Sequence, residues 1–323
     1  MFANIIGHSQ AKTILYNALS GDRVAHAYLF HGPKGIGKES LARAFAAILL
    51  CKADGKDACG KCTVCERLSK DVFPDFMVIK PSGNNIKIEQ VREIQKRVQF
   101  KPYEAEKKIC LINTADTMTR EASNCILKIL EDPPPDTVFL LTTINPYNML
   151  PTIISRCQLI PLGKVHTNQI EEMLHERFQV DLEKAKFFAS LSDGVPGTAI
   201  EMSTSDFGLE AREWVFKLEE NLTKGTINEL LKVAEELEKR KDLSDIFDQL
   251  LLWFRDRLIW LETGEDKLII NIDKLDLLKR YSNSKKYYIQ SIIDIIEARN
   301  KINQNVNLRL IIEVLLLRLA GAA

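Results

Sequence analysis

Residues 27–40 read AYLFHGPKGIGKES, an apolar run that passes directly into a glycine-rich segment and then into a helical pattern. Gly32, Gly35, Gly37 and Lys38 fit the G-x-x-x-x-G-K spacing of a phosphate loop. Glycine permits the tight turn, backbone N–H groups at a helix N-terminus hold anionic oxygens, and the lysine reaches the terminal phosphates. Set between a strand and a helix, the segment predicts an α/β phosphate-loop (P-loop) fold. The next position should carry the hydroxyl that ligates Mg2+, but it is Glu39, and Ser40 comes one residue late.

Working outward, four more short apolar runs follow at intervals: DFMVIK (75–80), KICLIN (108–113), VFLLTT (138–143) and CQLIPL (157–162). Strands buried on both faces read as continuous apolar runs, so five of them separated by helical periodicity predict a parallel, doubly wound sheet. A working nucleotide site also needs an acid at the end of a later strand to hold the metal, with a second acid beside it. The candidate strand runs into Asn113-Thr114, and Asp116 lies beyond its end. Two departures in one metal site point away from ATP hydrolysis. Nucleotide binding without turnover and a loop kept only as fold geometry both remain open.

Between this loop and the second strand, Cys51-x7-Cys59-x2-Cys62-x2-Cys65 gathers four of the seven cysteines into fifteen residues. Tetrahedral Zn2+ takes four thiolates, and Cys-x2-Cys spacing lets one turn offer two sulfurs to one ion. The segment predicts a structural zinc module, since four protein ligands leave no open catalytic position. Redox chemistry and an unmetallated cluster are the alternatives. Lys52, Lys56 and Lys61 would offset the charge of a tetrathiolate. Cys110, Cys125 and Cys157 lie in apolar or helical settings and read as packing residues.

The whole chain has 323 residues, 46% hydrophobic and 27% charged, with 15 Gly and 11 Pro, which excludes disordered and collagen-like classes. Lys+Arg and Asp+Glu both total 44, so the chain as a whole is no polycation. The balance is a cancellation: residues 1–165 hold 22 basic against 16 acidic side chains, and residues 166–323 hold 22 against 28. No apolar run reaches the roughly 18 residues of a membrane span, and the start MFANIIGHSQ lacks the charge and apolar stretch of a signal peptide. The expected location is cytoplasmic.

After Leu162 strand signals nearly stop. Residues 167–200 read as short helices ending near the breakers Asp193-Gly194-Val195-Pro196-Gly197. From about Phe207, long segments such as DLSDIFDQLLLWFRDRLIWLE carry apolar residues at i, i+3, i+4 and i+7, as packed helices require. Trp253, Phe254 and Trp260 fall at that spacing and are expected in the core. The expected domains are residues 1–165, with the cysteine module at 51–65, a small helical domain at 166–205, and a helical bundle at 206–323.

Residues 119–161, TREASNCILKILEDPPPDTVFLLTTINPYNMLPTIISRCQLIP, resemble the clamp-loader branch of the AAA+ family. The zinc insertion, the altered phosphate loop and Ser155-Arg156-Cys157 strengthen the likeness. The resemblance implies a RecA-like AAA+ domain, a lid domain and an all-α collar used for oligomerisation. It also implies a role for Arg156 as an arginine finger, reaching in trans into a neighbouring subunit's ATP site. A guanidinium there stabilises charge developing in phosphoryl transfer. Without the flanking motif, Arg156 would read as a strand-edge arginine in a salt bridge. Thr142 and Thr143 fall in the sensor 1 region, and Gly197 falls where active relatives carry the sensor 2 arginine.

The partners so implied are the delta and gamma/tau subunits of a bacterial clamp loader, with primed DNA and the sliding clamp met through the assembled loader. This chain would itself be non-catalytic, a stator within a DNA-directed DNA polymerase assembly. Arg92 and Lys96, one helical turn apart, are candidate phosphate contacts, but the interleaved Glu89 and Glu93 argue for a solvated face. Two rivals stand: an active gamma/tau-like motor ATPase with Glu39 or Asp116 serving the metal, and a stand-alone zinc-dependent nucleic-acid binder.

Overall fold

A computed structural model describes residues 1–21, 23–53, 57–204, 207–240, 242–280, 283–302 and 307–321. Lys56, and the expected boundary at 205/206, lie outside the described residues. The chain divides into two compact units, Met1–Ala199 and Ile200–Ala323.

The first unit begins with α1 (Ser9–Ser20), β1 (Ala27–His31), α2 (Lys38–Leu50), α3 (Thr63–Ser69), β2 (Phe76–Ile79) and α4 (Ile88–Val98). It continues through β3 (Lys108–Ile112), α5 (Arg120–Glu131), β4 (Thr137–Thr143), α6 (Pro151–Ile154) and β5 (Gln158–Pro161). All five apolar runs are strands. They pair in parallel in the order β2-β3-β4-β1-β5, the α/β class expected from the sequence. All five residues of β3 and all seven of β4 are buried, which is why these strands show no alternation.

The covering helices show the opposite signal. In α4 the stripe Val91, Ile94 and Val98 is buried, and in α5 Ala122, Ile126, Ile129 and Leu130 are. Thr119 caps α5 by accepting the Ala122 N–H at 3.3 Å, an arrangement worth about 1 kcal/mol. Cys110 is fully buried in β3, and Cys125 and Cys157 pack at the margin of the same core, as expected.

Three short helices, α7 (Thr167–Phe178), α8 (Leu182–Leu191) and α9 (Pro196–Thr204), follow; α7 and α8 lie within the first unit. The second unit holds α10 (Phe207–Lys224), α11 (Ile227–Glu238), α12 (Leu243–Thr263), α13 (Leu275–Arg280), α14 (Lys285–Ile302) and α15 (Leu308–Leu319). Its core centres on Phe247, Trp253, Phe254 and Ile312. Trp253 and Phe254 are buried as expected, whereas Trp260 is half-buried with the Lys279 ammonium over its ring at 4.4 Å. Inside this bundle the Arg257 guanidinium donates to Glu219, which also accepts the Trp253 indole N–H at 3.0 Å. No helix among the described residues is long and apolar enough to cross a membrane.

Candidate functional site

The phosphate loop runs from the end of β1 to the first turn of α2. Gly35 (φ 79°) and Gly37 (φ 102°) occupy the left-handed region, which a residue with a Cβ enters at a cost. Gly32 has no room for a Cβ, which would lie 2.3 Å from the Leu162 carbonyl oxygen. These three glycines therefore do what the spacing predicted. The lysine does something else. Lys38 Nζ folds back on its own loop and donates to the carbonyls of Gly32 at 2.8 Å and Pro33 at 2.7 Å. Burial pushes its ammonium down to about 8, and the nearby Asp116 carboxylate offsets part of that effect. Asp116 Oδ1 is itself buried and has no hydrogen-bond partner among the described residues.

Two further segments close on the loop, and sequence reasoning gave only one of them any attention. His8, ahead of α1, sets its Nε2 2.9 Å from the Ile36 carbonyl oxygen. A carbonyl only accepts, so this nitrogen carries the proton. Burial lowers the His8 pKa, against the pull of that bond. From the other side, Gly197 N–H donates to Gly35 O at 2.9 Å. A Cβ on Gly197 would lie 2.7 Å from Gly35 O and 2.8 Å from its Cα. Gly197 thus meets the loop backbone to backbone, with no space for a side chain. A cleft of about 600 Å3, which His8 also lines, is bounded by Ile5–Lys12, Gly163–His166 and one face of α7.

The Mg2+ that such loops ordinarily take needs a hydroxyl at the start of the helix and a carboxylate at the strand end. The residues here do not fit it. Glu39 Oε2 accepts from Asn113 Nδ2 at 2.6 Å, and Glu39 Oε1 is paired with Arg43 Nε at 2.9 Å and Lys80 Nζ at 3.6 Å. Arg43 also forms a two-point bond to Asp71 at 2.6 and 3.0 Å. Asn113 Oδ1 accepts from the Thr142 hydroxyl at 2.6 Å, and Thr142 Oγ1 accepts the Thr114 N–H at 2.9 Å. Of the two sensor candidates, Thr142 joins this chain of bonds, while Thr143 turns to the Asn145 carbonyl at 3.1 Å.

The four cysteines are gathered closely enough to be compatible with a zinc site. Their Sγ atoms all lie within 4.8 Å of one another, with Cys51 Sγ 3.7 Å from Cys59 Sγ and 4.0 Å from Cys62 Sγ. Tetrahedral bonds of about 2.3 Å require sulfur separations of about 3.8 Å. Cys62 caps α3, its sulfur 3.5 Å from the Cys65 N–H, so one helix start positions two ligands. Backbone N–H groups of Lys61 and Cys62 bring the Cys59 thiol down to about 6. That favours a thiolate at Cys59, whereas burial pushes the Cys65 thiol up to about 12.

Arg156 lies between α6 and β5 with its side chain 34% exposed. Its Nη2 donates to Glu131 Oε1, the last residue of α5, at 3.0 Å, and its Nη1 donates to the Thr152 carbonyl at 2.9 Å. Arg92 and Lys96 are exposed on α4, and there Arg97 pairs with Glu93 at 2.8 Å.

Two family models match the chain: DNA polymerase III, delta subunit, over residues 7–166 and DNA polymerase III, delta subunit, C terminal, over residues 211–321. The DNA polymerase III subunit delta' of Bacillus subtilis is 34% identical over 312 residues, 95% of this chain and 94% of that protein. The DNA polymerase III subunit tau of the same organism is 26% identical over 94% of this chain, which spans 58% of that longer protein. A DNA polymerase III gamma subunit-related protein of Thermotoga maritima aligns with 97% of this chain and 99% of its own, with 19% identity and a TM-score of 0.45.

Proposed function

Because the chain belongs to the family of DNA polymerase III delta' subunits, we propose that it is the ATPase-deficient stator of a clamp loader. In this reading it joins the delta and gamma/tau subunits in the cytoplasm, and loads the sliding clamp on primed DNA only as part of that ring. Residues 166–205 serve as the lid, residues 206–323 as the collar that holds the ring, and Cys51, Cys59, Cys62 and Cys65 hold a structural zinc ion.

The observation that carries the proposal is the contrast between two cations. Lys38 is buried and turned onto the carbonyls of its own loop, whereas Arg156, bonded to Glu131 and the Thr152 carbonyl, stays about a third exposed at the surface. A buried lysine that already serves two carbonyls is poorly placed to meet a phosphate. A guanidinium at the surface can stabilise charge in a neighbour's site, an effect worth about 10³ to 10⁵ in rate where it has been measured in GTPases.

The test is the DNA-stimulated ATPase of a reconstituted loader. Arg156→Ala in this chain is expected to lower turnover at least tenfold, and Lys38→Ala to leave it unchanged. The opposite pattern would establish the rival reading, an active gamma/tau-like motor. Against that rival stand the pairing of Glu39 with Arg43 and Lys80 and the closeness of Asp116 to Lys38: both acids near the loop already face protein cations. Tight DNA binding by the lone chain would favour the zinc-dependent binder instead. With Glu93 paired to Arg97 on α4, only weak binding is expected until partners supply more positive charge.

A further inference from the structure

The acid and the amide at the loop are not two separate defects. We propose that Glu39 and Asn113 form a matched pair that takes the place of the divalent cation, an amide-to-carboxylate bond joining helix and strand, which commits the loop against Mg2+. The inference rests on the reading above that the chain does not hydrolyse ATP, and gives that deficiency a built cause.

The bond directions leave little freedom. A carboxylate only accepts, so the Asn113 amide must turn Nδ2 toward Glu39, leaving Oδ1 for the Thr142 hydroxyl. Thr142 in turn accepts from Thr114 N–H, so its single proton is used on Asn113. Thr142 is fully buried, and a buried polar group without a partner costs about 1–3 kcal/mol; the chain of bonds leaves none. The network fastens α2 to the ends of β3 and β4, and through Lys80 to the end of β2.

An acid in the first turn of a helix is favourable on its own, because the N-terminal N–H groups are partly positive. That explains Glu39 without explaining Asn113. An aspartate at 113 would set two carboxylates about where donor and acceptor now stand 2.6 Å apart, and like charges at that distance cannot both stay ionised. With Glu39 present, the strand-end acid is excluded. With Asn113 present, a helix hydroxyl would leave Arg43 and Lys80 without their shared partner. A metal would therefore have to displace two cations and break the amide bond together.

The experiment is a swap in the full chain, read by thermal unfolding with and without Mg2+. Glu39→Gln and Asn113→Asp alone are each expected to lower the unfolding midpoint by roughly 3 °C or more. Glu39→Gln/Asn113→Asp, which exchanges amide and carboxylate, should recover most of the loss. Mg2+ should raise the midpoint of Asn113→Asp, where two carboxylates now meet, and leave the parent chain unmoved. Additive losses in the swap, or equal stabilisation of parent and Asn113→Asp by Mg2+, would overturn the proposal. Should Asn113→Asp fail to fold alone, recovery of folding in the swap decides the question. The swap needs no ATP, so a parent chain found to hydrolyse ATP would sink the stator reading by itself, and additive losses would sink the matched pair by itself.

Discussion

Arg156 is held by Glu131 of its own chain, Nη2 3.0 Å from Oε1, at the point where α5 ends and before β5 begins. The contact is half-exposed on both sides, and pairs of that kind contribute about 0–1 kcal/mol. Its consequence is orientation: with Nη2 on Glu131 and Nη1 on the Thr152 carbonyl, the plane of the guanidinium is fixed. Glu131→Ala is therefore expected to change stability by under about 1 kcal/mol in urea unfolding. It should also reduce the assembled loader's ATPase less than Arg156→Ala does. Arg156→Lys should not restore turnover, because an ammonium lacks the planar fork. Full activity in Arg156→Lys would show that charge alone suffices.

Removing zinc should loosen the first unit and leave the second intact. Elemental analysis of the full chain is expected to give about one zinc per chain. Cys62→Ser keeps a side-chain acceptor at the cap of α3 but takes away a proposed zinc ligand, and should lower the first unit's unfolding midpoint and abolish its sensitivity to chelator. A metal content near zero in protein purified under reducing conditions would remove the zinc assignment.

Lys38 gives a pH dependence whose sign can be worked out. Its pKa falls from 10.5 to about 8 in the folded chain, chiefly through burial. Between those values the unfolded chain binds more protons than the folded one, so stability gains from this group as pH rises from about 8 to about 10.5. Denaturant midpoints of the parent chain and Lys38→Met, compared across that range, should show the difference shifting toward the parent. A constant difference would mean that Lys38 is not desolvated.

Gly197 should resist replacement. Its missing Cβ would meet Gly35 O at 2.7 Å, backbone against backbone, so Gly197→Ala is expected to destabilise the first unit by about 1–3 kcal/mol. Gly197→Arg should disturb the loop and not restore a sensor. Nucleotide-dependent stabilisation of Gly197→Arg would contradict this.

In the second unit, Glu219→Ala would remove the carboxylate that accepts from the buried Arg257 guanidinium and from the Trp253 indole N–H. Losing one member of a buried ion pair costs about 3–5 kcal/mol, so helical signal should be lost at clearly lower denaturant. A loss below about 1 kcal/mol would show that water reaches the site.

Much of the molecule was legible in the chain. The three inner strands, β3, β4 and β1, were readable because both faces of each are covered, so burial writes an uninterrupted apolar run; β5, at the sheet edge, exposes three of its four residues and showed itself by apolar composition alone. The helices of the second unit were readable because one face is covered, so burial writes a period. The glycines of the loop and the four cysteines were readable because each answers a local demand, a positive φ or a short ligand spacing, that neighbouring residues cannot hide.

The partners of Lys38, Glu39 and Asn113 were not legible. Glu39 and Asn113 stand 74 positions apart, and only the parallel order that sets β3 between β2 and β4 brings them within 2.6 Å. Read singly, each was a departure from a metal site; the sheet makes them a bond. The turn of Lys38 onto Gly32 and Pro33, and the approach of Gly197 to Gly35, likewise depend on how chain segments meet. Local chemistry fixes which elements form, because each residue's burial and backbone preference act within a few positions. Whether the site they build accepts a cation depends on side-chain oxygens and nitrogens carried together by topology, and only the folded structure decides it.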